Sequence, residues 1–98
     1  MESIKSPVTK DITEIMDILQ EECAEVIQAI SKIRRFGIDT IGPYSKNTNR
    51  EELEIEIGDL TEMVALLAEK KVVDMYKIIE HSNAKRQKLK TWSKIAID

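Results

Sequence analysis

Residues 12–33 have the sequence ITEIMDILQEECAEVIQAISKI, and residues 53–67 have the sequence LEIEIGDLTEMVALL. In both stretches apolar residues recur every three or four positions, the spacing that lines one face of an α-helix. Two such faces can pack against each other as heptad seams. The seam positions are Ile12, Ile15, Leu19, Glu22, Val26, Ala29 and Ile33 in the first stretch and Leu53, Glu56, Leu60, Met63 and Leu67 in the second. Glu22 and Glu56 are the only charged members of the two seams.

The first helix is expected to begin with Ser6 as its N-cap and Pro7 at the first helical position, and to end near Arg35. The segment that follows, residues 37–48, contains Gly42-Pro43 and few apolar side chains, which predicts a loop. This loop exceeds the roughly two to eight residues that usually connect helices, so it is expected to be functional or partly mobile.

Two further helices are predicted beyond that loop. Asn49 and Glu52 have the spacing of a capping box and predict the start of the second helix, which is expected to end near Glu69. A third apolar pattern runs from Val72 to about Lys94 without Gly or Pro. The short connection predicts that the second and third helices are antiparallel neighbours. The predicted fold class is all-α, an antiparallel bundle of three main helices.

The length of the chain favours one domain that associates with itself. A chain of 98 residues can build a single domain over residues 1–98, but its core is thin and is expected to leave apolar surface for oligomerisation. Within this domain we distinguish an N-terminal arm, a loop and a basic C-terminal part. These segments are residues 1–7, 37–48 and 83–98.

Composition argues against several classes of function. Charged residues make up 34% of the chain and the net charge is −3, with acids concentrated in residues 11–25 and 51–62. That distribution is not typical of a protein that binds nucleic acid polymers. The longest apolar run, residues 63–68, is far too short to cross a bilayer, and no stretch resembles a signal peptide. We expect a soluble, cytoplasmic protein with no membrane partner.

Each seam acid has a second acid three residues later on the same helix face. Glu25 follows Glu22, and Asp59 follows Glu56. If the two helices pack antiparallel, the four carboxylates converge, and their repulsion must be relieved by protonation or by a cation. An all-oxygen ligand set suits Mg²⁺, with Mn²⁺ as a substitute, rather than zinc or copper. The competing interpretation is a stripe of solvated acids, but such a stripe is expected to avoid the seam.

Three motifs resemble a known family. Residues 21–25 (EECAE) and 56–60 (EIGDL) are similar to the E-E-x-x-E and E-x-x-D signatures of the MazG-like all-α nucleotide pyrophosphohydrolases. Residues 82–88 (SNAKRQK) resemble the basic, asparagine-containing stretch that holds the phosphates in that family. The resemblance covers about residues 12–92. It departs from the family pattern at Arg86, where an aromatic residue is common, and at Lys88, where arginine is usual. The gap between the two acidic pairs is also long for the family, consistent with an enlarged loop over residues 37–48.

The resemblance implies an enzyme that hydrolyses a nucleoside triphosphate, often a deoxynucleotide, between its α and β phosphates with Mg²⁺. The products are a nucleoside monophosphate and pyrophosphate, and the implied assembly is a dimer or tetramer. We expect water to be the nucleophile, so that no protein nucleophile is needed. The predicted metal ligands are Glu22, Glu25, Glu56 and Asp59, the predicted substrate contacts are Asn83, Lys85, Arg86 and Lys88, and the candidates for orienting the water are Glu21 and Glu62.

Other interpretations of these residues stay open. Phosphoribosyl-ATP pyrophosphohydrolase shares the fold and the acidic pairs, although residues 18–20 (ILQ) differ from the basic, glycine-containing segment associated with that enzyme. A non-catalytic helical module could bind a metal for stability alone. The basic residues of the third helix could serve solubility and the helix dipole. Glu21 and Glu62 could be solvated helix residues.

Overall fold

The computed structural model of the protein describes residues 7–98 and contains three α-helices in that range. They are α1 (Lys10–Phe36), α2 (Asn49–Glu69) and α3 (Met75–Trp92). The described residues form no β-strand, and their one element of extended pairing is an isolated antiparallel bridge between Ile41 and Thr48. The predicted all-α class is therefore confirmed. No helix of the described range is long and apolar enough to cross a membrane.

The start of α1 differs from the sequence-based prediction. Thr9 is the N-cap, and its hydroxyl accepts a hydrogen bond from the backbone N–H of Ile12 at 3.2 Å. Pro7 lies before the helix. The rest of the predicted arm, residues 1–6, falls outside the described residues. Thr9 lies three residues before Ile12, the first seam residue, so a helix capped by Thr9 and beginning at Lys10 already presents Ile12 to the core. The predicted placement of Pro7 in the first helical turn is therefore wrong, and the predicted cap at Ser6 lies outside the described residues.

The end of α1 is set by a glycine. Gly37 has a φ of 103°, a conformation that L side chains rarely adopt, and its N–H donates to the carbonyl of Ile33 at 2.8 Å. The helix ends at Phe36, one residue beyond the predicted end near Arg35. Residues 37–48 contain no helix, as predicted.

The capping box of α2 is present, but it lies one residue earlier than predicted. The Thr48 hydroxyl accepts from the N–H of Glu51 at 3.1 Å, and the Glu51 carboxylate accepts from the N–H of Thr48 at 2.9 Å. Asn49 is buried instead, and its amide donates to the carbonyl of Gly37 at 3.0 Å. Because its side chain is used in this contact with the end of α1, Asn49 does not cap the helix.

Helices α1 and α2 form an antiparallel hairpin. At one end Asn49 binds the carbonyl of Gly37, and at the other end the Lys70 ammonium lies 3.4 Å from the Asp11 carboxylate. Every predicted seam position on both helices is buried or half-buried. The most buried apolar side chains are Ile15, Ala29 and Leu67. The periodicity of the sequence therefore predicted the interface correctly, including the inward placement of the two seam acids.

Helix α3 stands apart from this hairpin. It makes almost no contact with α1 or α2, so the predicted antiparallel packing of α2 and α3 is not found in the single chain. The apolar side chains of α3 are consequently exposed, among them Tyr76, Ile79 and Trp92. The accessible surface of the chain is 8424 Å², whereas a compact monomer of this mass would have about 5,700 Å². Much apolar surface is therefore left uncovered.

Candidate metal centre

Three carboxylates meet on the face that α1 and α2 share. One oxygen from each of Glu22, Glu56 and Asp59 can be chosen so that all three lie within 4.8 Å of one another. Glu22 comes from the α1 seam and Glu56 from the α2 seam, which is why both are half-buried. Asp59 stands about one turn after Glu56 on the same face and is exposed. Helix packing thus assembles the cluster from two separate segments of sequence.

The protonation behaviour of Glu56 reflects this crowding. Burial raises its pKa above the ordinary value, the negative charges of Glu25, Glu22 and Asp59 raise it further, and a hydrogen bond with the Glu22 side chain acts in the same direction. Glu25 is exposed and lies outside the tight group of three, but its charge still acts on Glu56. All four acids predicted from the two motifs therefore belong to one electrostatic site. Their arrangement disfavours the fully ionised state unless a cation is bound.

The Glu22 carboxylate provides a second test of whether these residues fit a cation. Its Oε2 atom is buried, and no residue in the described range gives it a hydrogen bond. A buried carboxylate oxygen without a donor is costly, and two like charges at about 5 Å repel on the order of 3 kcal/mol at an effective dielectric near 20. A hard divalent cation would relieve both costs, and an oxygen-only ligand set matches Mg²⁺ or Mn²⁺. The residues present therefore fit such an ion.

The family model for the MazG nucleotide pyrophosphohydrolase domain matches residues 10–91. The chain belongs to this family. The match spans nearly all of the helical region, from the first residue of α1 almost to the end of α3. Searches of curated proteins and of solved structures returned no match. Members of the MazG family act on nucleotides and generally use a divalent metal, and the acidic cluster lies where both family motifs meet.

The two residues predicted to orient the catalytic water lie next to the cluster in sequence. Glu21 precedes Glu22 on α1, and Glu62 stands three residues after Asp59 on α2. Both side chains are exposed. Neither belongs to the group of three carboxylates whose oxygens lie within 4.8 Å of one another.

The predicted substrate contacts lie on α3, away from the acids of the same chain. All four are exposed, and α3 makes almost no contact with the hairpin. They are Asn83, Lys85, Arg86 and Lys88. The Lys85 ammonium lies 4.8 Å from the centre of the Trp92 ring, a cation–π distance. Within one chain the basic helix and the acidic cluster of the MazG domain are therefore separate surfaces.

One polar side chain near the site had a different role in the sequence-based prediction. Glu52 was assigned to a capping box, but its Oε1 accepts a hydrogen bond of 2.6 Å from the hydroxyl of Ser45 in the loop. It lies one turn before Glu56 on α2. A signal was available in the sequence, since Thr48 and Glu51 also have capping-box spacing and leave Glu52 free.

Proposed function

We propose that this MazG domain hydrolyses a nucleoside or deoxynucleoside triphosphate between its α and β phosphates, releasing a nucleoside monophosphate and pyrophosphate. The observation that carries the proposal is the convergence of Glu22, Glu56 and Asp59, with the buried Oε2 of Glu22 lacking a donor within residues 7–98. Family membership supports nucleotide pyrophosphohydrolysis in general. The bond cleaved, the products and the metal are parts of the proposal.

Glu22, Glu25, Glu56 and Asp59 would hold Mg²⁺, with Mn²⁺ as a substitute. The ion, when bound, supplies charge neutralisation for the phosphates and acidifies the attacking water. The four carboxylates contribute negative charge at one place, where it would otherwise repel the polyphosphate. For this reason the proposal requires the acids and the metal together.

Glu21 and Glu62 are proposed to orient the water that attacks the α-phosphorus. Their exposure leaves them free to rotate toward a substrate bound at the cluster. Each lies within three residues of a proposed metal ligand, Glu21 on α1 and Glu62 on α2. Water is the nucleophile, and the chain needs no covalent intermediate.

The basic residues of α3 are proposed to bind the phosphates from a second copy of the chain. The apolar face of α3, which includes Tyr76 and Ile79, is exposed and needs a partner. A homo-oligomer, dimer or tetramer, would cover this face and could bring Asn83, Lys85, Arg86 and Lys88 toward the acids of the neighbouring hairpin. This assembly would unite the two surfaces that are separate in one chain.

The test is a panel of the common ribonucleoside and deoxyribonucleoside triphosphates, and phosphoribosyl-ATP, incubated with Mg²⁺ and analysed for products. Release of a monophosphate together with pyrophosphate supports the proposal. Release of a nucleoside diphosphate and phosphate contradicts the assigned bond. Turnover of phosphoribosyl-ATP alone would make the chain a phosphoribosyl-ATP pyrophosphohydrolase instead. Metal-dependent stabilisation without any turnover would indicate a non-catalytic module. Glu22→Gln removes a proposed metal ligand and should abolish this turnover. Its matched control is Glu14→Gln, because Glu14 is an exposed acid on α1 outside the cluster.

A further inference from the structure

A cleft of about 400 Å³ opens where the last turns of α1, the loop and the first turn of α2 meet. Its walls include the rings of Phe36 and Tyr44 and the side chain of Ile41. Its polar lining includes Lys32, Ser45 and Glu52. Nothing in the catalytic proposal above uses this cleft.

The cleft begins about one helical turn from the acidic cluster. Glu52 precedes Glu56 by four residues on α2, which is about 6 Å along the helix axis and on the same face. On α1, Lys32 follows Glu25 by seven residues, about 10 Å along the axis and again on the same face. A triphosphate held at the acids would therefore have room to extend its nucleoside along the hairpin into the cleft.

The apolar lining suits a flat aromatic group. Phe36 is 57% exposed and Tyr44 is fully exposed, so both rings offer their surface to a ligand. The Arg35 guanidinium lies 5.0 Å from the centre of the Phe36 ring, which holds a planar cation over one side of it. Exposed aromatic rings beside a polar pocket are the usual means of binding a nucleobase.

The polar lining carries an oriented carboxylate. The Ser45 hydroxyl donates to Glu52 Oε1 at 2.6 Å and itself accepts from the N–H of Asn47 at 3.0 Å, so the loop fixes the position of this side chain. Glu52 is half-buried and forms no ion pair with a cation in the described part of the chain. An ionised carboxylate has about four acceptor positions, and the one occupied by Ser45 leaves others for a ligand.

A carboxylate distinguishes the nucleobases by their hydrogen-bond donors. Guanine presents an imino N–H and an adjacent amino group, two parallel donors that match the two oxygens of a carboxylate. Adenine and cytosine present one amino group beside an acceptor nitrogen. Uracil and thymine present one N–H between two carbonyl oxygens, which a carboxylate repels. Lys32, also on the cleft wall, is a cationic donor suited to the guanine O6 atom.

We propose that this cleft binds the nucleobase of the substrate and that Glu52 is a specificity-determining residue that favours guanine. The inference rests on the proposed function for its substrate class, and it adds the base and the residue that selects it. Adenine and cytosine nucleotides are expected to rank next, and uracil and thymine nucleotides last.

The kinetic test compares kcat/KM for nucleoside triphosphates that carry guanine, adenine, cytosine, uracil or thymine. The proteins compared are the wild type, Glu52→Gln and Glu54→Gln. Glu54 is an exposed acid two residues along the same helix and serves as the control. We expect the wild type to prefer guanine and Glu52→Gln to lose about tenfold or more of kcat/KM for guanine nucleotides, because each bidentate pair discriminates strongly. Uracil and thymine nucleotides should lose nothing. The inference is overturned if Glu52→Gln loses kcat/KM equally for every base, or if it ranks the bases in the same order as the wild type.

A binding test separates this inference from the catalytic proposal. Calorimetric titration with guanosine and uridine monophosphates needs no turnover, so it reports on the cleft even if the chain hydrolyses nothing. We expect guanosine monophosphate to bind more tightly than uridine monophosphate, and Glu52→Gln to remove the difference. Ser45→Ala keeps the carboxylate but frees it, and should weaken the preference without reversing it. Equal affinities of the wild type for the two nucleotides overturn the inference, whereas absence of turnover alone overturns only the proposed function.

Discussion

Glu22 and Glu56 place carboxylate oxygens within 4.8 Å of each other, although 33 other residues separate them in the chain. Each occupies a seam position at which its helix would otherwise bury an apolar side chain. The antiparallel packing of α1 on α2 therefore drives two negative charges together, and the Oε2 atom of Glu22 has no donor in the described range. This conflict between packing and charge is the basis of the predictions on metal binding.

Glu56→Gln is expected to abolish turnover and to stabilise the metal-free protein. Loss of a proposed metal ligand should lower kcat/KM at least about a hundredfold. The reason is that mutating residues that only support metal ligands already lowers metal affinity or activity by about 10–100-fold. In EDTA the free energy of unfolding should rise by on the order of 1 kcal/mol, because one repelling charge is gone and solvent screens this half-buried site. Urea denaturation measures the second effect. A variant that is less stable than the wild type in EDTA, or equally active with Mg²⁺, contradicts the prediction, and Glu14→Gln should change neither quantity.

Without metal, the stability of the wild type is expected to fall as pH rises above the acid range. The pKa of Glu56 is raised by burial and by its acidic neighbours, so the folded state holds this proton more tightly than the unfolded chain does. The stabilisation is complete below the ordinary value of 4.5 and is lost as pH rises through the higher folded value. Thermal unfolding in EDTA across this range measures it. The decline should be smaller in Glu56→Gln, and an identical decline would assign the effect to other groups.

Added Mg²⁺ is expected to raise the melting temperature more at neutral pH than at acid pH. The ion and the proton compete for the same carboxylates, so protonation of the site weakens metal binding. Melting curves with and without Mg²⁺ at the two pH values provide the measurement, with Glu22→Gln as the variant that should lose most of the response. A Mg²⁺ effect that is independent of pH and persists in this variant would place the ion elsewhere.

Ile79→Glu is expected to dissociate the proposed oligomer. Ile79 is 51% exposed on the apolar face of α3, and a charge there would oppose burial against a second copy. His81→Glu introduces the same charge on the opposite side of the helix and should leave the assembly unchanged. Light scattering gives the mass of each variant at equal concentration. A monomeric wild type, or equal masses for all three proteins, would refute the assignment of this face to self-association.

Mixing two inactive variants is expected to restore activity if α3 serves the site of a neighbouring chain. One variant carries Glu56→Gln, and the other carries alanine at Lys85, Arg86 and Lys88. A mixed oligomer then contains one site with intact acids and an intact basic helix, provided that the helix comes from the partner. Pyrophosphate release after subunit exchange measures the recovery. Each variant must be inactive alone, and mass measurements must show that mixed oligomers have formed. A mixture that then releases no pyrophosphate means that the basic helix serves its own chain.

Thr48→Ala is expected to destabilise the protein by about 1 kcal/mol through loss of the α2 cap. The Thr48 hydroxyl accepts a hydrogen bond from the backbone N–H of Glu51, and the backbone N–H of Thr48 donates to the Glu51 carboxylate. Thr61→Ala is the matched control, because Thr61 lies in the interior of α2 and its hydroxyl donates only to the Ile57 carbonyl of its own helix. Chemical denaturation compares the two. Equal effects would show that the cap contributes nothing specific.

The register of the caps depended on contacts that local sequence does not contain. Thr48 and Asn49 are both good N-cap residues, and each has a glutamate three residues later. The choice between them is made by the carbonyl of Gly37, which binds the Asn49 amide and leaves Thr48 to cap α2. At α1 the N-cap is Thr9, three residues before the first seam residue, Ile12.

The sequence by itself determined the three helices, the loop over residues 37–48, and the inward-facing seam acids, because helical periodicity is a local property that needs no knowledge of the partner. Only the tertiary structure decided that α3 leaves the hairpin, since its apolar face has the same pattern whether it packs on its own chain or on another. The cleft at Glu52 likewise depends on how the loop folds back, through Ser45, onto a helix that begins several residues later. Periodicity identifies which face of a helix is apolar, whereas the identity of the surface that covers it is decided by packing between distant segments.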